Sequence, residues 1–347
     1  MSQSSSTSSS NSGRFLIGFA STAALLLLLG TGLSLYLGAP SGDLMRIGKL
    51  ASIDWQPTHI QPPLVRVLTP TLSVPSIIVL GDSFSAENLW QSELSRLTGQ
   101  TTQTWHYKDI GCIDDWLRNT IKDHSSHASP IIVIESIERE FISRFSSATE
   151  NCKPYAGQPI SLKAEIFHTE KTDTSIFPID IRYVFSAAKN HFSPGAHSGR
   201  KESRSAVSVD LTTDGLFSNQ RSKRLSYFQG DDRKLQDWTV DSQQAALTYL
   251  TQMQAMARQE DKQLLFAVIP DKSTTYAPWV KKGQLPATPQ PDLFQALAAT
   301  LGGNSNYLPA FRQAANELKD FYRPDDTHLS LDGYRLLARE IRKRIYP

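Results

Sequence analysis

The chain is short of the residues that most metal, redox and nucleotide chemistries require. It has two cysteines in 347 residues, Cys112 and Cys152, and no Cys/His group has metal-ligand spacing, so neither a metal nor a cofactor is expected. No glycine-rich phosphate loop, internal repeat or basic stripe is present, and 36 Lys and Arg against 34 Asp and Glu leave a net charge of +2. Nucleic-acid and nucleotide binding therefore have no sequence feature behind them. Seven of the eight histidines (His59, His106, His124, His127, His168, His191 and His197) are scattered and read as surface or structural. The two cysteines could form one disulfide, which would place the soluble part in an oxidising compartment; two unpaired buried thiols are the alternative.

Charge is absent altogether from Phe15 to Leu37, a run long enough at 1.5 Å per residue to cross a bilayer core of roughly 30 Å. It is longer than a signal-peptide core, and a Pro follows the small-residue site Gly38-Ala39, so the reading is an uncleaved anchor. Arg14 on one side and Arg46 and Lys49 on the other do not decide its orientation. Before it, residues 1–14 form a polar, serine-rich tail expected to be disordered. After it, residues 38–73 carry Pro57, Pro62, Pro63 and Pro70 with little periodicity, and are expected to be a spacer.

What is present begins at Ser76-Ile-Ile-Val-Leu-Gly-Asp-Ser83, an apolar run that stops at Gly-Asp-Ser and reads as a buried parallel strand ending at its carboxyl edge. A helix over Ala86 to Thr98 follows, with Leu89, Trp90, Leu94 and Leu97 at helical spacing and Gly99 as its stop. Strands over Thr101 to Tyr107, Pro130 to Ser136 and Gln263 to Ile269 alternate with helices over Asp114 to Lys122, Val240 to Gln259, Asp292 to Leu301, Ala310 to Phe321 and Tyr334 to Ile345. That rhythm implies right-handed crossovers and an α/β domain with a parallel sheet over residues 74–347. Residues 143–230 interrupt it. They are polar, with a helical stretch near Ile179 to Lys189, and read as an insertion: a solvated excursion or a substrate-binding lid.

Ligands of open α/β sheets bind outside the carboxyl ends of the strands, which puts Ser83 where a nucleophile belongs. Asp82 or Ser83 as a plain helix cap is the alternative. A serine hydroxyl needs a base, and the base needs a carboxylate to fix its tautomer. Asp325-Asp326-Thr327-His328, far along the chain, supplies both within four residues.

Gly81-Asp82-Ser83-Phe84 and Asp325-Asp326-Thr327-His328 together resemble the SGNH/GDSL hydrolase superfamily. Val268-Ile-Pro-Asp-Lys272 with Tyr276, Ile134-Glu-Ser-Ile-Glu-Arg139 and Gly333 look more narrowly like the alginate O-acetyltransferase branch of AlgX/AlgJ type. The resemblance covers about residues 74–347. It implies a flavodoxin-like three-layer α/β/α domain with a Ser-His-Asp triad, held on the periplasmic face of a bacterial inner membrane by one N-terminal helix whose amino end is cytoplasmic. It further implies acetyl transfer to or from an exported polysaccharide, with a membrane-bound O-acyltransferase as the partner that brings acetyl groups across.

Within that frame Ser83 is the nucleophile, His328 the base and Asp326 the triad acid, with Asp325 the second choice. The superfamily's Gly-x-Asn-Asp block is missing, and Glu135-Ser136-Ile137-Glu138-Arg139 stands in its place. Oxyanion donors are therefore sought among the Ser83 N–H, Gly111 and Arg139, although Arg139 could equally pair with Glu135 or Glu138. Lys272 either touches substrate or caps a neighbouring carboxylate. Two other functions stay open: a carbohydrate acetylesterase using the same residues, and a non-catalytic polysaccharide-binding scaffold.

Overall fold

The computed structural model describes residues 9–66, 75–123, 131–146, 158–162, 164–168, 181–193, 198–287 and 292–347. Cys152, His124, His127 and His197 lie outside them. Cys112 is buried and disulfide-bonded.

The first helix, α1, runs Ser9–Leu37, and its Gly13–Leu37 portion is long and apolar enough to cross a membrane, with lipid-length apolar surface exposed along it. It starts before Phe15 because extending a formed helix through Ser and Asn costs little once the apolar run has nucleated it. The expected spacer is not one. After Gly38 the chain forms α2 (Asp43–Gly48), α3 (Ser52–Trp55) and β1 (Leu64–Arg66), and Leu44, Met45, Trp55 and Leu64 are buried against the domain. The prolines hide a periodicity that tertiary burial supplies.

The domain then follows as β2 (Ile77–Gly81), α4 (Ser83–Ala86), α5 (Leu89–Thr98), β3 (Thr102–His106), α6 (Ile113–Asp123), β4 (Ile131–Ile137) and α7 (Phe141–Phe145). The helix expected over 86–98 starts at Leu89 instead, after Asn88, whose left-handed backbone (φ 54°) parts it from the short α4. Next come β5 (Glu165–Phe167), α8 (Ile181–Phe192), β6 (Lys201–Ser203), β7 (Ala206–Asp210), β8 (Arg224–Phe228), α9 (Gly230–Asp237), α10 (Val240–Gln259) and β9 (Gln263–Ile269). The chain closes with α11 (Lys272–Tyr276), α12 (Leu293–Leu301), α13 (Leu308–Glu317) and α14 (Leu331–Ile345).

Four strands form the central sheet in the order β3-β2-β4-β9, all parallel. Ile77, Val79, Val133 and Ile269 pack with α5 and α14 on one face; Ile78, Leu80, Ile132, Ile134 and Val268 pack with α6, α10 and α12 on the other. Burial on both faces is why these strands read as unbroken apolar runs. The sheet's parallel sense brings Ser83, Arg139 and Lys272 to one edge, each just beyond a strand's carboxyl end.

The segment read as an insertion contributes to the core. The antiparallel sheet β6-β7-β8 buries every residue of β7, and Val207, Val209, Leu225 and Tyr227 join the cluster on one face of the central sheet. Separately, β5 pairs antiparallel with β1. The alternation in Ala206-Val-Ser-Val-Asp210 was the available signal, masked by the surrounding Ser, Lys and Arg.

Candidate active site

Ser83 opens α4 and is exposed, while the residues around it are buried. Its setting is fixed from below by two carboxyl groups. The Asp82 carboxylate accepts the Phe84 N–H at 3.0 Å and the Ile137 N–H at 2.8 Å, and pairs with Arg144 at 2.6 Å. Burial opposes its ionisation, but Arg144 and these N–H groups hold Asp82 below the usual carboxylate range. Beneath it the Glu135 carboxyl accepts the Asp82 N–H at 3.1 Å and the Ser85 hydroxyl at 2.7 Å. Burial, with the Asp82 charge beside it, raises Glu135 well above a normal glutamate. Gly81 is required where these groups converge: a Cβ there would lie 2.2 Å from Ser85 Oγ and 2.7 Å from Glu135 Oε2. Asp82 is thus the cap, and Ser83 is left with its hydroxyl facing outward.

The loop between α13 and α14 brings the partners. His328 Nε2 lies 2.9 Å from Ser83 Oγ, and His328 Nδ1 lies 2.7 Å from Asp326 Oδ1. A carboxylate only accepts, so Nδ1 carries the proton and Nε2 is the free base facing the serine. The Phe84 ring packs against the imidazole, 4.9 Å between centroids. Asp325, the other carboxylate, is turned away and bonds Arg323 and, at 2.7 Å, the Ser41 hydroxyl.

A segment that looked like spacer completes this arrangement. The Asp43 N–H donates to Asp326 Oδ2 at 3.1 Å, and the Leu44 N–H to the Asp325 carbonyl at 3.2 Å. Asp43 Oδ2 lies 3.5 Å from His328 Nδ1 and Asp43 is paired with Arg46. Gly42 allows the contact, because a Cβ there would meet the Asp325 carbonyl oxygen at 2.3 Å. The readable signal was Ser41-Gly-Asp-Leu-Met, a helix start with an acid in its first turn. Asp43, Asp326 and His328 could together offer three ligand atoms to a cation, but each already has a partner within the group or in Arg46.

Burial works against the imidazolium, yet the hydrogen bond and charge of Asp326, with Asp43 adding to them and Arg139 opposing, hold His328 above its ordinary 6.5. Only the neutral ring can accept the Ser83 proton, so any ester turnover through this pair should rise with pH through an apparent pKa above 6.5. Asp43→Asn removes one of the two negative charges facing the ring and should move that midpoint down in a kcat/KM profile. An unmoved midpoint would mean that Arg46 already cancels Asp43. The same shift adds stability that is complete below about pH 6.5 and is lost as pH rises through the folded-state value.

The other predicted residues fall elsewhere on the edge. Arg139 pairs with Asp271 at 2.9 Å and Asp231 at 3.4 Å, not with Glu135 or Glu138. Lys234 takes Glu138 and Asp271, both at 2.7 Å, in the same buried cluster, where burial raises Asp231 to about 7. Arg139 is therefore committed to a buried ion network, which sequence reasoning missed because Asp231 and Lys234 lie at and just beyond the end of the presumed insertion. Lys272 pairs with no carboxylate among the described residues: its Nζ donates to the carbonyls of Arg323, Pro324 and Asp326 at 2.5, 3.2 and 3.0 Å. Gly111 stands in the bend before α6, beyond edge strand β3. The Ser83 N–H, as the first donor of α4, has no intrahelical acceptor.

A cavity of about 270 Å³ adjoins His328, lined by Gln61, Glu87, Phe167, His168, Arg323 and Tyr334 among others. Three of these, Gln61, Phe167 and His168, come from the presumed spacer and insertion. Comparison with family models, with curated proteins and with solved structures finds no match to this chain.

Proposed function

We propose that the chain is a serine acyltransferase of the SGNH type, with a three-layer α/β/α catalytic domain, acting on an exported polysaccharide at the outer face of a bacterial inner membrane. The observation that carries the reading is the run of contacts from Ser83 Oγ to His328 Nε2 at 2.9 Å and from His328 Nδ1 to Asp326 Oδ1 at 2.7 Å. Nucleophile, base and orienting carboxylate stand in hydrogen-bond reach in that order.

In the first half-reaction His328 Nε2 takes the Ser83 proton as Oγ attacks an acetyl ester carbonyl. The tetrahedral intermediate collapses, the donor alkoxide leaves with the proton from His328, and acetyl-serine remains. In the second half a sugar hydroxyl gives its proton to His328, attacks the acetyl carbonyl, and Ser83 recovers its proton. The Ser83 N–H is the oxyanion donor this geometry favours. The aromatic and polar lining beside His328, from Phe167, Gln61 and Arg323, suits a sugar acceptor. A membrane-bound O-acyltransferase is the partner proposed to deliver acetyl groups. Hydrolysis, which would make the chain a carbohydrate acetylesterase, is the second reading, favoured by the exposure of Ser83 to water.

The test is incubation of the full chain with p-nitrophenyl acetate, an acid quench, and intact-mass and peptide mapping. An added acetyl group on Ser83 is expected, and oligosaccharide acceptors should then discharge it faster than water does. A folded protein that neither turns over the ester nor gains acetyl at Ser83 would overturn the proposal.

A further inference from the structure

The helix α8 sits against the end of α1 and turns two aromatic rings outward. Tyr183, Val184 and Ala187 are buried with Leu37 and Ala51, and Leu33 packs on the same cluster. Tyr36, in the last turn of α1, stacks on Phe192 with ring centroids 6.3 Å apart and planes 8° apart, and meets His191 edge-on at 5.7 Å. Phe185 and Phe192 are nonetheless 66 % and 62 % exposed, and Tyr36 is 50 % exposed.

These rings share one side of α8, since residues seven apart fall together on a helix. Arg182 and Lys189, both exposed, lie on that side with them. The opposite side, with Tyr183, Ala187 and Asn190, faces the protein: the Tyr183 hydroxyl donates to the Leu50 carbonyl at 2.9 Å and Asn190 to the Lys49 carbonyl at 2.8 Å. The exposed face is therefore aromatic and cationic at once, the composition of helices that lie in a bilayer interface.

The depth of α1 says where that face stands. The 25 residues Gly13–Leu37, at 1.5 Å each, cover about 37 Å, more than the roughly 30 Å of a hydrocarbon core. With the span centred in the bilayer, Tyr36 and Leu37 reach headgroup level, where aromatic side chains gather. Any helix packed against Leu33 and Leu37 has to occupy the same layer. The exposed rings of α8 also continue, through Tyr36, the exposed apolar surface of α1.

We propose that α8 is a membrane-surface helix: Phe185 and Phe192 enter the boundary between headgroups and acyl chains of the bilayer that α1 spans, and Lys189 meets anionic lipid phosphates. The catalytic domain is thereby seated on the membrane by two elements. The proposal rests on α1 spanning the bilayer and is independent of the chemistry assigned to Ser83.

The experiment uses the full chain in vesicles of phosphatidylcholine and phosphatidylglycerol, with acyl chains either plain or brominated. Phe185→Trp and Phe192→Trp report on α8, and Phe19→Trp, in α1, is the reference for a residue among lipid tails. Emission added over wild type is read for each. The expected result is that both α8 reporters lose most of their added emission in brominated vesicles and are shielded from aqueous acrylamide. Quenching of Phe19→Trp alone, with the α8 reporters open to acrylamide, would overturn the proposal. Quenching of none of the three would overturn it together with the span. Because no catalytic step is read, an inactive serine would change none of these outcomes.

Discussion

Asp326→Asn should lower ester turnover by about 10⁴-fold while the fold persists, and Asp325→Asn should not. Asp326 meets three donors: His328 Nδ1 at 2.7 Å, the His328 N–H at 3.0 Å and the Asp43 N–H at 3.1 Å. An asparagine in its place has one accepting atom. The His328 N–H and Nδ1 both meet Oδ1 and the Asp43 N–H meets Oδ2. With the amide nitrogen at the Oδ1 place its N–H therefore faces the imidazole, which then protonates at Nε2 and can no longer accept from Ser83. With the nitrogen at the Oδ2 place it confronts the Asp43 N–H, and in both placements the negative charge opposite the imidazolium is lost. Asp325 is tied to Arg323 and Ser41, so its amide variant loses an ion pair at the edge of the site and leaves the imidazole tautomer alone. The measurement is kcat/KM on p-nitrophenyl acetate for both variants beside thermal melts. Equal losses in the two with unchanged Tm would remove Asp326 from the assigned role.

Lys272→Met should cost about 3 kcal/mol of stability and remove most activity together. The Lys272 side chain is buried and is the shared donor to three carbonyls of the loop that carries Asp326 and His328. Burial pushes its ammonium down to about 7, with Asp325 and Asp326 pulling the other way. Met fills the space and packs on Phe217 but donates nothing, so three carbonyls lose a partner they cannot replace with water. A loss of that size corresponds to a fall in Tm of roughly 6 to 10 °C. The loop would relax outward and lengthen the contact of His328 with Ser83, so turnover well below the folding midpoint should already be depressed. A variant with normal Tm and normal kcat would show that the carbonyls are satisfied without Lys272.

The sheet was legible because burial on both faces writes itself as runs such as Ile77-Ile-Val-Leu80 and Leu264-Leu-Phe-Ala-Val-Ile269, with no polar residue to confuse the period. The chemistry at the two ends of the domain was legible for a different reason. Gly-Asp-Ser after a strand and Asp-Asp-Thr-His before a helix are compact, and in the second the acid and the imidazole it bonds lie two residues apart. The strands β7 and β8 were not legible, since their polar alternate residues, Ser208, Arg224 and Ser226, are buried, with Arg224 bonded to Asp210 and Ser208, and look like surface. The clasp of Ser41, Gly42 and Asp43 on the acid loop was hidden too. It depends on backbone donors and on a missing Cβ, across more than 280 positions of sequence, and neither leaves a pattern in composition. For the same reason the choice between Asp325 and Asp326 could not be made from spacing.

The six residues after Leu37, where α1 ends, run to Asp43, which lies against His328. Fully stretched they reach about 22 Å. If α1 is an anchor, Ser83 is on a short leash, and its working volume is a thin shell over the lipid whatever the size of the compartment beyond. Encounter with a soluble acceptor then gains nothing from three-dimensional search. Encounter with anything leaving the membrane beside α1 gains the effective concentration of an intramolecular partner. A polymer meeting such a site would be modified as it emerges, one stretch at a time, so the spacing of the groups it carries would record its rate of passage past the serine.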